Sequence, residues 1–223
     1  MSKVPSVALS HVGLYVRDLD RMERFYTGFL GFVVTDRGEL GATRLVFLSR
    51  DPSEHHQIVL ASGRPRNAEF SVLNQMSLRV PDLAALKYFH ANAAAHGGYD
   101  VQPVTHGNAV SVYLRDPEGN RIELYIDTPW YVTQPVREPV DLTKPDEQLW
   151  REIEALARSL PGFRPVEEWR REIESRLAAA SGLRGAPDPE PATTLSQTRR
   201  PVTRARSRRA GRRISSRRPR PAR

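Results

Sequence analysis

Two stretches of alternating residues decide the fold of this 223-residue chain: residues 10–16, SHVGLYV, and residues 74–80, NQMSLRV. Each stretch runs into an aspartate, which is followed by apolar residues at helical spacing. Alternation is typical of a half-buried strand and aspartate is a favoured helix N-cap, so each stretch predicts a strand followed by a helix. The two copies are 64 residues apart, and five positions repeat: Leu14 at Leu78, Val16 at Val80, Asp18 at Asp82, Leu19 at Leu83 and Phe25 at Phe89.

Three short segments of β character follow each predicted helix. In the first copy they are FVVTD, TRLVFLS and HHQIVLA, and in the second they are VQPVT, AVSVYLR and RIELYID. The last two are joined by residues 116–120, DPEGN, whose proline and glycine suit a tight hairpin turn. Neither copy could bury its helix alone, so two β-α-β-β-β modules, residues 7–62 and 70–128, are expected to share one core.

The rest of the chain predicts an extension and a tail. Residues 129–181 contain a proline-rich extended segment and then two amphipathic helices, because apolar residues recur there at i, i+4 and i+7. Residues 182–223 are dominated by Pro, Ser, Thr and Arg, a composition that predicts disorder.

Charge and composition exclude several classes of protein. The net charge of +8 comes from the tail: residues 191–223 carry 12 Arg and no acidic residue, whereas residues 1–190 carry 22 basic and 26 acidic side chains. The tail has no aromatic residues among its cations, so we do not expect nucleic acid as a partner. The absence of cysteine excludes disulfides and thiolate metal sites. No apolar run is long enough for a membrane span or a signal peptide, so the expected location is the cytoplasm.

Three segments carry a family resemblance: residues 9–32 (LSHVGLYVRDLDRMERFYTGFLGF), 55–60 (HHQIVL) and 113–127 (YLRDPEGNRIELYID). Together they resemble the vicinal oxygen chelate superfamily, and within it they look most like the extradiol ring-cleavage dioxygenases. The superfamily also includes glyoxalase I and the fosfomycin- and bleomycin-resistance proteins. The resemblance covers about residues 7–128 and implies an α+β fold, in which the two modules pair into one pseudo-symmetric, cup-shaped mixed β-sheet.

The resemblance also implies a metal site inside the cup. Its ligands lie on the first strand of each module and the last strand of the second, which places them at His11, Gln75 and Glu123. A buried carboxylate such as Glu123 is costly without a cation, and this agrees with the assignment. Gln75 departs from the dioxygenases, which have histidine there, although glyoxalases use a glutamine amide oxygen. The expected ion is Fe(II), with Mn, Ni or Zn as alternatives. Gln75 could also be a polar residue of a protein that binds no metal.

Three further residues match positions with catalytic roles in ring-cleaving relatives. His56, in HHQIVL, would take a proton from a catechol, a task that suits the pKa of imidazole. Tyr113, ten residues before Glu123, would hydrogen-bond a substrate oxygen, and His106 would support it. The alternatives are a solvated pair, His55 and His56, at a strand start and a core aromatic role for Tyr113. Strict alternation would place His56 on the same face as Ile58, so its role as base requires a bulge.

The expected function is therefore an extradiol-type dioxygenase that acts on a small molecule with vicinal oxygens. One alternative is a glyoxalase-like isomerase or lyase with a redox-inert ion, and another is a metal-free protein that binds a drug or metabolite. A homodimer is expected from the resemblance and from the apolar stripes of the two helices in the extension.

Overall fold

Both copies of the repeat fold as a strand, a helix and three strands, as predicted. The computed structural model describes residues 7–68 and 71–183, with side chains to residue 179. The chain divides into two units, Met1–Gly185 and Ala186–Arg223, and every described residue belongs to the first. The first module comprises β1 (Val12–Val16), α1 (Leu19–Gly28), β2 (Val33–Leu40), β3 (Thr43–Ser49) and β4 (Ile58–Ser62). The second comprises β5 (Met76–Arg79), α2 (Leu83–Asn92), β6 (Tyr99–Thr105), β7 (Ala109–Arg115) and β8 (Arg121–Asp127).

The two modules repeat the same strand order, but each has its own hydrogen-bonded ladder. The first sheet has the order β1-β4-β3-β2, and the second contains β6-β7-β8-β5. In both, the first strand of the module pairs in parallel with the last strand, and the remaining pairs are antiparallel. The modules are therefore held together by side chains and turns, since no ladder joins β1 to β5 among the described strands.

The helices begin where the sequence predicts. The Asp18 carboxylate accepts a hydrogen bond from the Arg21 backbone N–H at 2.9 Å, and Asp82 accepts one from Ala85 at 2.8 Å. An aspartate cap contributes about 0.5–2 kcal/mol to the stability of its helix. Each helix then buries its apolar stripe against its own sheet.

The cores of the two modules meet through their helices. Phe29, after α1, packs edge-on against Phe89 of α2 at 5.3 Å between ring centroids and stacks on His96 at 5.2 Å. His96 and the apolar stripes of the two helices thus have structural contacts. Alternation in β7 and β8 directs Val112 and Leu124 into this core, which leaves the opposite face of the second sheet for polar side chains.

The extension packs on the second module. It contains β9 (Trp130–Tyr131), β10 (Glu138–Pro139), α3 (Asp146–Ser159), β11 (Arg164–Pro165) and α4 (Val166–Leu183). Strand β10 pairs with β6 and so covers an edge of the second sheet, while α3 buries Leu149, Ile153 and Ala157. Beyond Leu183, the segment predicted to be disordered lies outside the described residues. None of the helices in the described ranges is long and apolar enough to cross a membrane.

Candidate functional site

Glu123 is the centre of a polar cluster on the open face of the second sheet. The Glu123 side chain is only 10% exposed, and both of its oxygens accept hydrogen bonds. Oε2 accepts from the Ser77 hydroxyl at 2.6 Å and from Gln75 Nε2 at 2.9 Å, and Oε1 accepts from the Ser111 hydroxyl at 2.8 Å. Strand pairing explains the cluster, because Ser77 and Tyr113 lie directly opposite Glu123 on the neighbouring strands.

These donors keep Glu123 ionised. Burial alone would raise the pKa of its carboxyl group, but hydrogen bonds from His106, Ser77, Ser111 and Tyr113 outweigh burial and lower the pKa to about 2. The carboxylate is therefore an anion at neutral pH, and protein donors already stabilise it.

Tyr113 and His106 lie beside this carboxylate. His106 Nε2 is 3.0 Å from the Tyr113 hydroxyl and 3.4 Å from Glu123 Oε1, while His106 Nδ1 donates to the Val136 carbonyl at 2.5 Å. The hydrogen bond to Glu123 raises the His106 pKa despite opposing desolvation. Burial, followed by the hydrogen bond to Glu123 and the charge of that carboxylate, raises the pKa of Tyr113 to about 12, so its hydroxyl keeps its proton at neutral pH.

A cavity of about 380 Å³ opens onto this cluster. Its lining combines the polar residues of the sheet with residues from the hairpin before β7 and from the extension: Ser77, His106, Asn108, Ala109, Tyr113, Glu123, Tyr125, Asp127 and Gln134. A site of this size can hold a one-ring organic molecule.

His11, His55 and His56 form a second cluster in the first module. The rings of His11 and His56 are 4.3 Å apart, and His55 Nδ1 lies 2.9 Å from His56 Nδ1. The Phe47 ring contacts both His55 and His56. Desolvation, followed by repulsion from His11 and His55, lowers the pKa of His56, which favours a neutral imidazole able to accept a proton.

His56 lies outside strand β4, contrary to the expectation that it follows the alternation of that strand. Strand β4 begins at Ile58, so His55 and His56 precede the ladder and follow no alternation. No bulge is needed for His56 to lie beside His11, because a bend in the chain before β4 brings the two rings together.

The structure brings some of the expected metal ligands together and not others. Gln75 and Glu123 are hydrogen-bonded, whereas no hydrogen bond, ion pair or ring contact joins His11 to Glu123 in the described part of the chain. Nor do the described residues contain a group of three His, Asp or Glu side chains placed to hold a metal. The donor types themselves fit a divalent ion: an imidazole, a carboxylate and, since Gln75 Nε2 is committed to Glu123, an amide oxygen.

Four site residues did not emerge from the sequence. Ser77 and Ser111 carried a usable signal, because each lies two positions from a predicted site residue on the same strand face. Gln134 and Val136 carried none. Their contacts with His106 depend on how the extension folds back over the hairpin, where Gln134 Nε2 donates to the His106 carbonyl at 2.8 Å.

Comparison with known protein families identifies the family of this chain. The model of the Glyoxalase/Bleomycin resistance protein/Dioxygenase superfamily matches residues 8–124, more than half of the chain. The chain therefore belongs to this superfamily, which is the family that the sequence motifs predicted.

Its relatives include proteins named as dioxygenases. Biphenyl-2,3-diol 1,2-dioxygenase 3 of Rhodococcus globerulus is 32% identical over 124 residues, which are 53% of this chain and 63% of that protein. Catechol-2,3-dioxygenase of Bacillus subtilis (strain 168) is 32% identical over 139 residues, 58% of this chain and 46% of that protein. The chain thus spans less than two thirds of either dioxygenase. Among solved structures, a glyoxylase/bleomycin resistance protein/dioxygenase domain from Frankia sp. EAN1pec aligns over 56% of this chain and 100% of its own, with 24% identity and a TM-score of 0.49.

Proposed function

We propose that this protein is a metal-dependent enzyme that acts on a catechol-type small molecule, with extradiol ring cleavage as the favoured reaction. The observation that carries the proposal is the cluster of Glu123, His106 and Tyr113 beside a cavity, in a chain that belongs to a superfamily containing such enzymes. A protonated tyrosine hydroxyl at 3.0 Å and an anionic carboxylate at 3.4 Å from the same histidine nitrogen can bind and polarise a substrate oxygen.

His11, Gln75 and Glu123 would hold the ion, which we take to be Fe(II), with Mn, Ni or Zn as alternatives. When bound, such an ion supplies Lewis acidity and, if it is iron, the electron chemistry of dioxygen. Tyr113 donates a hydrogen bond from its hydroxyl to the substrate oxygen, and His106, fixed by the Val136 carbonyl, keeps that hydroxyl oriented. His56 accepts a proton from the other catechol hydroxyl.

The ligands come from two copies of the chain in this proposal, and the protein is a homodimer. Three observations support it. His11 and Glu123 lie in separate clusters, and the outer edges of β1 and β5 have no strand partner among the described residues. The surface near His11 is also apolar and exposed, since Leu9 is 95% exposed and Tyr15 is 65% exposed. A two-fold dimer would give each site a His11 from one copy and a Glu123 from the other.

Complementation between inactive variants tests this arrangement. His11→Ala and Glu123→Gln should each lose oxygen uptake with catechol and retain little iron. When the two are unfolded and refolded together, random dimers should recover about a quarter of wild-type activity and iron, because one of the two sites in each mixed dimer is intact. The matched control is a mixture of Gln75→Ala with Glu123→Gln, whose lesions lie in the same half-site and cannot complement. Recovery in neither mixture, or in both, would refute the shared site.

Oxygen uptake with a panel of catechols tests the reaction itself. Wild-type protein reconstituted with Fe(II) should consume oxygen and form a ring-cleaved product. His56→Ala should keep its iron and lose about 10²–10⁴ in turnover, which is the usual contribution of a positioned base. Bound metal without oxygen uptake would favour the glyoxalase-like isomerase or lyase.

A metal-free binding protein is the second candidate, and one observation favours it. Ser77, Gln75 and Ser111 already satisfy the Glu123 carboxylate, so its burial requires no ion. Metal analysis of the purified and reconstituted protein distinguishes the two candidates, because this alternative predicts no bound metal under any loading condition.

A further inference from the structure

The hairpin that carries His106 is held in place by residues that follow β8. The Thr128 hydroxyl donates to the Gly107 carbonyl at 2.8 Å, and the Thr128 backbone N–H donates to the Asn108 carbonyl at 3.1 Å. The buried Val132 side chain lies where a Cβ on Gly107 would be placed. The backbone of the hairpin is therefore fixed, whereas the orientation of the His106 ring depends on what its nitrogen atoms meet.

A closed ring of three hydrogen bonds joins His106 to residues 134–136 of the extension. The Gln134 amide Nε2 donates to the His106 carbonyl at 2.8 Å, and Gln134 Oε1 accepts from the Val136 N–H at 3.0 Å. The Val136 carbonyl accepts from His106 Nδ1 at 2.5 Å, which closes the ring. One glutamine side chain thus links the backbone of the hairpin to the backbone that holds the imidazole.

This arrangement decides which nitrogen of His106 faces the cavity. Because Nδ1 is bonded to the Val136 carbonyl, the ring presents Nε2 to the Tyr113 hydroxyl, 3.0 Å away. An imidazole in the flipped orientation would lose both contacts, since ring carbons would take the places of the two nitrogens. The position of Nε2 therefore depends on Val136, which the Gln134 amide ties to the hairpin.

Gln134 lies beyond residues 8–124, the part of the chain that matches the superfamily model. It borders the cavity, and its Nε2 is also 3.3 Å from the Oδ1 atom of Asn108, another residue of the cavity lining. The group that orients His106 thus belongs to the extension and not to the two repeated modules.

We infer that Gln134 is a positioning residue for His106, and that residues 134–136 make the extension a part of the active site. Gln134 acts through His106 and needs no contact of its own with the substrate. The step from His106 to a substrate oxygen, through Tyr113, rests on the proposed function. The orientation of the ring rests on the three hydrogen bonds alone.

Hydrogen exchange at the His106 ring tests this orientation in the full chain without metal. The Nδ1 proton bonded to Val136 should give a slowly exchanging signal in the 1H–15N spectrum of histidine-labelled protein, and His106→Gln should lack this signal. Gln134→Leu removes both amide contacts and should speed the exchange about tenfold, the scale of one lost hydrogen bond. Gln134→Glu should have a similar effect, because a carboxylate cannot donate to the His106 carbonyl.

Gln148→Leu is the matched control, since Gln148 is an exposed glutamine on α3 whose amide donates to Glu152 at 2.9 Å. It should leave the exchange rate unchanged, and circular dichroism should show that the variants are folded. If one Gln134 variant does not fold, the other decides. The inference is overturned if wild-type protein gives no such signal, if a folded Gln134 variant keeps the wild-type rate, or if Gln148→Leu speeds the exchange equally.

Oxygen uptake separates a positioning role from a purely structural one. With iron-loaded protein and a catechol, Gln134→Leu should lower kcat about tenfold and leave KM within about twofold of wild type, because a misplaced ring weakens polarisation of the substrate oxygen and not substrate binding. Faster exchange with an unchanged kcat would refute the positioning role. A wild-type protein that takes up no oxygen would refute the proposed function alone, since the exchange measurement does not use the reaction.

Discussion

The Glu118 carboxylate accepts a hydrogen bond of 2.6 Å from the backbone N–H of Arg17, which lies 101 residues earlier in the chain. The same oxygen accepts from the Asp18 N–H at 2.7 Å, at the start of α1, and the other oxygen lies 3.6 Å from Arg64 Nη1. The turn between β7 and β8 thus holds the first module against the second. Its neighbour Asp116 contributes through a 3.3 Å contact with the buried Tyr26 hydroxyl.

Glu118→Gln should weaken the contact that this turn makes with the first module. The side chains of Glu118 and Arg64 are only 5% and 12% exposed, so the substitution removes a buried charge and places an amide near a cation. We expect the free energy of unfolding to fall by about 1–3 kcal/mol, measured in urea. The control is Glu147→Gln, at a side chain that is 92% exposed, which should change the free energy of unfolding by less than about 0.5 kcal/mol. Equal effects of the two substitutions would show that Glu118 does not hold the modules together.

Gly107→Ala should destabilise the hairpin that carries His106. Gly107 has φ of +75°, and an added Cβ would collide with the Val132 side chain from the extension. Strain and overpacking together should cost about 2–5 kcal/mol. Gly38→Ala is the control, because no atom lies within 4 Å of its Cβ position and its φ is not in the left-handed region. A thermal midpoint equal in the two variants would show that the hairpin tolerates the side chain.

Acid stability should depend on Glu123. Its pKa is about 2 in the folded protein against 4.5 for an unperturbed group, so its contribution is fully present above pH 4.5 and is lost as the pH falls towards 2. The contribution is on the order of 3 kcal/mol. Glu123→Gln should therefore be less stable than wild type at pH 6, and the gap should narrow below pH 4.5 when both are measured without metal. A stability difference that is constant with pH would show that the surrounding donors do not lower the pKa of Glu123.

Metal retention should rank the ligand variants. Gln75→His replaces an amide oxygen with imidazole, the stronger ligand for borderline ions, and Glu123→Gln removes the anionic ligand. After loading with Fe(II), Ni(II) or Zn(II) and dialysis, Gln75→His should retain the most metal, wild type less and Glu123→Gln the least. Absence of bound metal from all three proteins would favour the metal-free binding protein. Retention by Glu123→Gln equal to that of wild type would remove Glu123 from the ligand set.

The fold followed from the sequence because its signals are local. These signals are the alternation in SHVGLYV and NQMSLRV, the caps Asp18 and Asp82, and the apolar stripes of the helices. Each depends on residues that are close together in the chain, so each can be recognised without knowledge of the tertiary contacts. The same alternation places Glu123 opposite Tyr113 once β7 and β8 pair, because the turn that joins these two strands decides their register. Ser77 lies opposite Glu123 through the parallel pairing of β5 with β8, which no turn joins.

The contacts between distant parts of the chain were decided by the tertiary structure alone. No periodic pattern in the sequence indicates these contacts. They include the hydrogen bond from His106 to the Val136 carbonyl, the hydrogen bond from the Arg17 N–H to Glu118 and the packing of two guanidinium groups on Tyr113. The separation of His11 from Glu123 is of the same kind. Strand order within each module is set by short connections. The position of one sheet relative to the other depends instead on the packing of Phe29 against Phe89 and on the hydrogen bond between Arg17 and Glu118, which are 101 residues apart.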